Sequence, residues 1–184
     1  MRNVFFIIVF LLIGLIHITY AFQNEPNKFR GIKWGQCLAN VKGMVQVGQP
    51  DVLGVSSFKR KNEHLKIGSS SIDTIEYYAF NGKFYFLAID VTCRNDFNKL
   101  VQNYIDLYGP PQYESKNLLA QSWIWKSDRL KVGLIWTNIG KKVGLITYEY
   151  LPIMKMRDQA RDELIERAKR KRMNKIKKEL GKDL

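Results

Sequence analysis

The segment spanning residues 73–92 constrains this 184-residue chain more than any other. Two runs rich in aromatic and β-branched residues, 73–80 and 83–92, flank the dipeptide Asn81-Gly82. A two-residue type I′ turn needs positive φ at both central positions, which asparagine and glycine tolerate, so the segment reads as a tight hairpin. Uninterrupted pairing sets Phe80 opposite Lys83, Tyr78 opposite Tyr85, Tyr77 opposite Phe86 and Ile75 opposite Ala88. One face then carries Ile75, Tyr77, Ala79, Phe84, Phe86 and Ala88, and the other Tyr78, Phe80, Tyr85, Leu87, Ile89 and Val91. Both faces are substantially apolar, whereas an antiparallel sheet wetted on one side shows a polar face. Something must therefore cover part of the second one.

Other elements follow from periodicity. Residues 29–35 read as a short strand, and Leu38, Val41, Met44 and Val45 at helical spacing predict a first short helix. Residues 55–60 and 64–67 read as short strands. Asn95 or Asp96 can cap a helix with apolar positions at Phe97, Leu100, Val101, Tyr104, Ile105 and Tyr108, ended by Gly109-Pro110-Pro111. Residues 121–126, 130–137 and 141–150 form a three-stranded meander. Pro152 ends the last strand, and residues 158–180 can form a charged helix. Its apolar positions, Leu164, Ile165, Ala168, Met173, Ile176 and Leu180, make only a ragged stripe, and its first half can dock on the second sheet face. The expected class is α+β, an antiparallel sheet of hairpins and meander with two helices on one face and a basic C-terminal helix. The recurring order of elements hints at two related halves, without a sequence repeat.

Residues 1–21 begin with Met1-Arg2-Asn3, continue through an apolar run of about 15 residues and end Thr19-Tyr20-Ala21, the pattern of a cleaved secretory signal. Spanning a bilayer takes roughly 20 apolar residues, so an uncleaved anchor at the inner membrane is the weaker alternative. No cysteine sits at the cut, which argues against a lipoprotein. A single domain over 22–154 and a basic tail over 155–184 then remain. About half of the net charge of +13 lies in that tail, which holds 12 Lys/Arg against 6 Asp/Glu. Lys169, Arg170, Lys171, Arg172, Lys175, Lys177 and Lys178 are its candidate anion-binding residues. In an exported protein the available polyanions are lipid head groups and lipopolysaccharide phosphates, and nucleic acid is a poor fit. Each such residue near an anionic membrane surface contributes about 1 kcal/mol. The competing reading is a solvated charged helix with no dedicated partner.

Chemistry-bearing residues are sparse. Cys37 and Cys93 could form one disulfide, whose loop of 57 residues would contribute about 4 kcal/mol on the chain-entropy model; two buried free thiols are the alternative. Beyond the signal His64 is the single histidine, so a Cys93/His64 or Cys37/His64 pair is the one conceivable nucleophile-base couple. No G-x-S-x-G, H-E-x-x-H, Walker or dinucleotide-binding pattern occurs. Asp73, Glu76, Asp90 and Glu149 could supply a glycosidase pair, but no spacing selects two of them. Neither a metal nor another cofactor is expected. Tyr78, Phe80, Tyr85, Trp123 and Trp125, all on predicted strands, form either a face for a ligand or partner or part of the core, and core packing is the favoured reading.

The string Phe29-Arg30-Gly31-Ile32-Lys33-Trp34-Gly35, with Leu38 and Met44 downstream, resembles a recurring opening in a group of uncharacterised bacterial exported proteins. The likeness continues through Leu65-Lys66-Ile67-Gly68, residues 73–77, Asn81-Gly82-Lys83-Phe84-Tyr85 and 95–109, and departs at Pro110-Pro111 and the tail. It implies a bacterial cell-envelope setting and supplies no catalytic or binding residues. The order of elements also resembles small helix-plus-sheet modules of periplasmic inhibitor and envelope-assembly proteins, in topology alone. The functional expectation is a non-enzymatic periplasmic binding or accessory module with an envelope-protein partner and a basic tail for an anionic lipid or lipopolysaccharide surface. A small hydrolase with an unrecognised site and a structural subunit of an envelope complex are the alternatives.

Overall fold

A computed structural model describes residues 22–140 and 143–180; the expected signal over 1–21 and the last four residues lie outside them. In chain order the elements are β1 (Lys28–Phe29), β2 (Ile32–Lys33), β3 (Met44–Val47), β4 (Val55–Arg60), β5 (Lys66–Ile67), β6 (Ser70–Ser71), β7 (Thr74–Phe80), β8 (Lys83–Val91), α1 (Arg94–Tyr108), β9 (Tyr113–Lys116), β10 (Ala120–Lys126), β11 (Leu130–Thr137), β12 (Val143–Tyr150) and α2 (Leu151–Leu180). Eight strands form one antiparallel sheet in the order β3-β4-β7-β8-β12-β11-β10-β9. The class is α+β, as expected. Each half is a four-stranded meander, and the two join through their last strands, β8 and β12.

The halves differ in what covers them. Over the second half lies α1, burying Phe97, Leu100, Val101, Tyr104 and Tyr108. A Cβ at Gly144 of β12 would collide with the Phe97 ring, so glycine there lets the helix approach the sheet. Backbone and side chain of the incoming chain satisfy the helix C-terminus: Gln23 N–H donates to Tyr108 O at 3.1 Å, and Asn24 Nδ2 donates to Leu107 O at 2.8 Å. The helix expected around Leu38 to Val45 does not form. A 3-10 turn over Leu38–Asn40 leads instead into edge strand β3. A single buried anchor, Leu38, and Gly43 at φ +82° end the turn after three residues. Of the two helices expected on one face, only α1 is present.

The first half takes its core-face cover from elsewhere. The β1–β2 hairpin turns through Arg30 and Gly31, both at positive φ, and buries Ile32, while Phe29 and Trp34 pack against the core. The Trp34 ring stacks on Phe84 at 4.7 Å between centroids. Arg30 staples this hairpin to the next loop, donating to Glu63 Oε1 at 2.5 Å, His64 O at 2.5 Å and Lys66 O at 2.7 Å. Beside α1, the small β5–β6 hairpin closes the remaining gap, replacing the expected strand over 64–67.

The central hairpin forms around Asn81-Gly82, both at positive φ. Its register departs from uninterrupted pairing. Phe80 faces Lys83 and Ala79 faces Phe84, but a bulge then sets Tyr78 against Phe86, Tyr77 against Leu87 and Ile75 against Ile89. The extra residue, Tyr85, leaves both Tyr85 and Phe86 on the outer face and turns Leu87, Ile89 and Val91 into the core. This resolves the two-sided apolar pattern: one face is core, and the other is a smaller cluster of Phe80, Tyr85 and Ile153 with Val55, Tyr78, Phe86, Met154 and Ala160 around it. The first turns of α2 supply Ile153, Met154 and Ala160. Pro152 lies in the first turn of α2, where a missing N–H leaves no intrahelical bond unmade.

Candidate functional site

On the outer face of the first half, the start of α2 and the loop before β4 enclose a cleft of about 480 Å³. Its floor is the rings of Tyr78, Tyr85 and Phe86. One wall is Asp51 and Leu53 of the loop, whose shape is set by Asp51 Oδ1 accepting Leu53 N–H and Val55 N–H, each at 2.9 Å. The other wall is Arg157 and Arg161. These two arginines share a helix face with buried Ile153, at four-residue spacing, so docking of the helix aims them into the cleft.

The electrostatics are mixed. Arg157 lies over the Tyr85 ring at 5.7 Å and pairs with Asp158 at 2.7 Å. Burial opposes its charge, but Asp158 and the Tyr85 hydroxyl outweigh that and raise its pKa. Arg161 pairs with Asp158 at 3.5 Å and with Asp162 at 3.3 Å. Burial and the neighbouring Glu76 carboxylate push the Tyr78 hydroxyl up to about 12. Tyr78 in turn donates to Glu76 at 2.8 Å, and that hydrogen bond, with Lys59, holds the carboxyl below its usual range. An aromatic floor of this size, with guanidiniums along one wall and Asp51 and Leu53 along the other, suits a ligand or peptide with a flat apolar part and an anionic group that meets the arginine wall.

The five aromatic residues read as one partner face are not brought together. Tyr78 and Tyr85 line the cleft, and Phe80 is buried beneath the helix with Ile153. Trp123 and Trp125 lie on the opposite face in the core, because α1 covers it. Their indoles are engaged there: Trp123 Nε1 donates to Glu114 and Trp125 Nε1 to Gly109 O, both at 2.8 Å. For these two the core reading is the right one. The signal in the sequence that could have found the cleft was the Ile153, Arg157, Arg161 spacing, obscured by starting the helix at Asp158.

Neither reading of the cysteines holds. Cys37 and Cys93 are free and exposed, not buried. Cys37 sits beside Lys83 at the start of β8 and Cys93 follows its end, ten residues along the chain from Lys83. At about 3.3 Å per residue this is roughly 30 Å, whereas a disulfide needs Cα atoms within about 7 Å. The expectation of proximity failed because the two positions before helical segments lie at opposite ends of one strand.

The four strand carboxylates each have a separate local partner. Asp73 accepts Thr92 N–H at 2.5 Å and the Thr92 hydroxyl at 3.0 Å, and Asp90 accepts Thr74 Oγ1 at 2.9 Å. Glu76 takes Tyr78, and Glu149 takes Lys131 at 2.8 Å. His64 is exposed, and its carbonyl accepts from Arg30. Among the described residues no group of three or more His, Cys, Asp or Glu is placed to hold a metal ion.

Beyond the cleft, α2 leaves the body. From Arg161 to Lys177 every side chain is exposed. Residues 167–178 hold eight Lys/Arg and no acid. Arg167, Lys169 and Lys175 pair with Glu163, Glu166 and Glu179 along the helix. Among the described residues Arg170, Lys171, Arg172 and Lys177 have no ion-pair partner; the Lys178 side chain lies outside what is described. No described helix is long and apolar enough to cross a membrane. No protein-family model, curated protein or solved structure matches this chain.

Proposed function

We propose that this protein is a non-enzymatic binding or accessory module of the cell envelope, held at an anionic surface by the free half of α2 and presenting the outer-face cleft to a partner. The observation that carries the reading is the cationic arm itself. A helix of 30 residues is about 45 Å long, and only its first turns pack on the sheet, so the concentrated positive charge stands clear of the body. Cations grouped this way meet phosphate-bearing surfaces through long-range attraction that salt weakens. Lipid head groups and lipopolysaccharide phosphates share the required chemistry. Half-buried Arg157 and exposed Arg161 at the base of the arm suit the cleft to partners with acidic groups, such as an acidic envelope protein.

Vesicle co-sedimentation tests the arm. The chain should associate with vesicles containing phosphatidylglycerol more strongly than with phosphatidylcholine alone, and less at physiological than at low salt. Reversal of three charges, Arg170→Glu with Lys171→Glu and Arg172→Glu, should remove that preference while leaving the thermal unfolding midpoint unchanged. Equal binding by the reversed and original chains would reject the arm as the anionic contact. Repeating the comparison with lipopolysaccharide micelles separates the two sources of phosphate.

A further inference from the structure

From Glu163 to Lys177 the free part of α2 is about 22 Å of helix, and every side chain on it is exposed. Successive side chains step by about 100° around a helix axis. On that projection Leu164, Ile165, Ala168, Met173 and Ile176 all fall within one half of the circumference, and the other half holds no apolar residue. Arg167, Arg170, Lys171 and Lys177 stand on that polar half. The four large apolar side chains are open to solvent, Leu164 by 42%, Ile165 by 45%, Met173 by 53% and Ile176 by 39%.

The fold makes no use of these four. The docked start of the helix is held by Ile153, Met154 and Ala160, and none of the four belongs to either core cluster. A helix that only carries charge through water is polar all round and laced with ion pairs. Here the apolar residues are sorted to one side, an exposure that is unfavourable unless something receives it.

Charge on the same face decides the occupant. Lys169, Arg172 and Lys175 stand within the apolar half, which holds no acid between residues 163 and 177. Packing two copies of the chain through this face would bury cations against cations, and a neutral apolar groove would strip them of water without a counter-charge. An anionic phospholipid bilayer satisfies both kinds of residue. Acyl chains receive the apolar side chains, while the long stems of lysine and arginine carry their charged heads up to the phosphates. Lys169 and Lys175 lie near the two margins of the apolar half, where the phosphates would be met. Their pairs with Glu166 at 2.8 Å and Glu179 at 3.9 Å are exposed to solvent and weak enough to yield to lipid. No described helix is long and apolar enough to cross a membrane, so this one lies along the surface.

We propose that residues 163–177 bed into the head-group boundary of an anionic phospholipid bilayer, helix axis parallel to the surface, with Leu164, Ile165, Met173 and Ile176 turned toward the acyl chains. The inference rests on the arm contact proposed above and deepens it from attraction to insertion.

A tryptophan reporter and a charge-neutral variant test it in the full-length chain. With Met173→Trp, phosphatidylglycerol-containing vesicles should blue-shift the added emission, and brominated acyl chains should quench it beyond the level of the unsubstituted chain. Ile165→Ser with Ile176→Ser keeps every charge. That variant should bind inorganic polyphosphate and unfold as the parent does, yet partition into the vesicles about tenfold more weakly. Vesicle binding that survives reversal of Arg170, Lys171 and Arg172 would remove the arm contact and this inference with it. Binding lost on reversal but unchanged in the serine variant, or a reporter that stays water-exposed on sedimented vesicles, would overturn insertion alone. A blue shift with lipopolysaccharide micelles but not with the vesicles would overturn the bilayer as occupant, as would a lipid-free blue shift that rises with protein concentration and so marks a second copy.

Discussion

The two four-stranded meanders share a topology but bury their sheets in different ways. The second carries its own helix, α1, and has one closed core face built from Trp123, Trp125, Trp136 and Tyr148. The first has a 3-10 turn where a helix would begin, and draws its cover from the β1–β2 hairpin on one face and from α2 on the other. A layer supplied from within the unit keeps its outer face free of helix. A layer supplied from outside leaves seams, and the outer-face cleft is one of them. The difference puts a closed core layer in the second half and the outer-face cleft in the first.

That contrast can be broken most strongly at Trp125, fully buried and bonded to Gly109 O. Trp125→Ala should cost about 3–5 kcal/mol, read as a lowered urea midpoint, with hydrogen-exchange protection lost in α1 and β10–β12 before β4 and β7. Equal loss in both halves would mean that the sheet unfolds as one cooperative unit. A smaller effect is expected from Ile153→Ala, which removes the anchor of α2 at a site that can partly relax into the neighbouring cleft. It should cost about 2 kcal/mol, with the exchange change confined to α2 and the outer cluster. Loss of α1 protection in that variant would contradict the separation drawn here.

Alkali should sharpen the comparison further. In the second half Tyr148 OH donates to Tyr104 OH at 2.7 Å, with Tyr108 OH at 3.4 Å, and burial drives all three hydroxyls upward. In the first half burial does the same to Tyr77, and raises Tyr78 to about 12. A tyrosine whose folded pKa lies above its unfolded value binds its proton more tightly when folded, so its stabilisation is complete below pH 10 and declines as pH rises above that. Ultraviolet titration should therefore show the cleft residue Tyr78 ionising before the fully buried Tyr104 and Tyr148, which ionise only with unfolding. A single step for all of them would indicate that the cleft opens no earlier than the core.

Much of this arrangement was legible in the sequence. Asn81-Gly82 located the central hairpin, and the apolar spacing from Phe97 to Tyr108 located α1, because turn chemistry and helical period are local properties. The demand for cover on the hairpin's second face was also local, and α2 meets it. What failed was non-local or a matter of competing periods. Leu38, Val41, Met44 and Val45 fit a helix by spacing, yet strand pairing of β3 with β4 outcompetes it. The helix start at Leu151 was hidden by Pro152, which ends a strand and begins a helix equally well. The cleft depends on α2 crossing the outer face beside a distant loop, and no pattern within either segment records that meeting. Leu118 and Leu119 were in plain view after Asn117, but apolar residues between strands read as strand ends until their exposure is known.

The bulge at Tyr85 behaves like an added character in a message read two letters at a time. Everything after it, Leu87, Ile89 and Val91, is in phase with the core only because that one residue is counted without being paired. Pairing Tyr85 into the ladder would therefore leave the sequence unchanged while inverting the meaning of the rest of the strand, sending its aliphatics outward and Ala88 and Asp90 inward at the seam where β8 meets β12, whereas removing Tyr85 would close the ladder with Leu87, Ile89 and Val91 still facing the core. Substitution at this position alters a side chain, whereas loss of the bulge with Tyr85 in place would alter the parity on which both halves are joined.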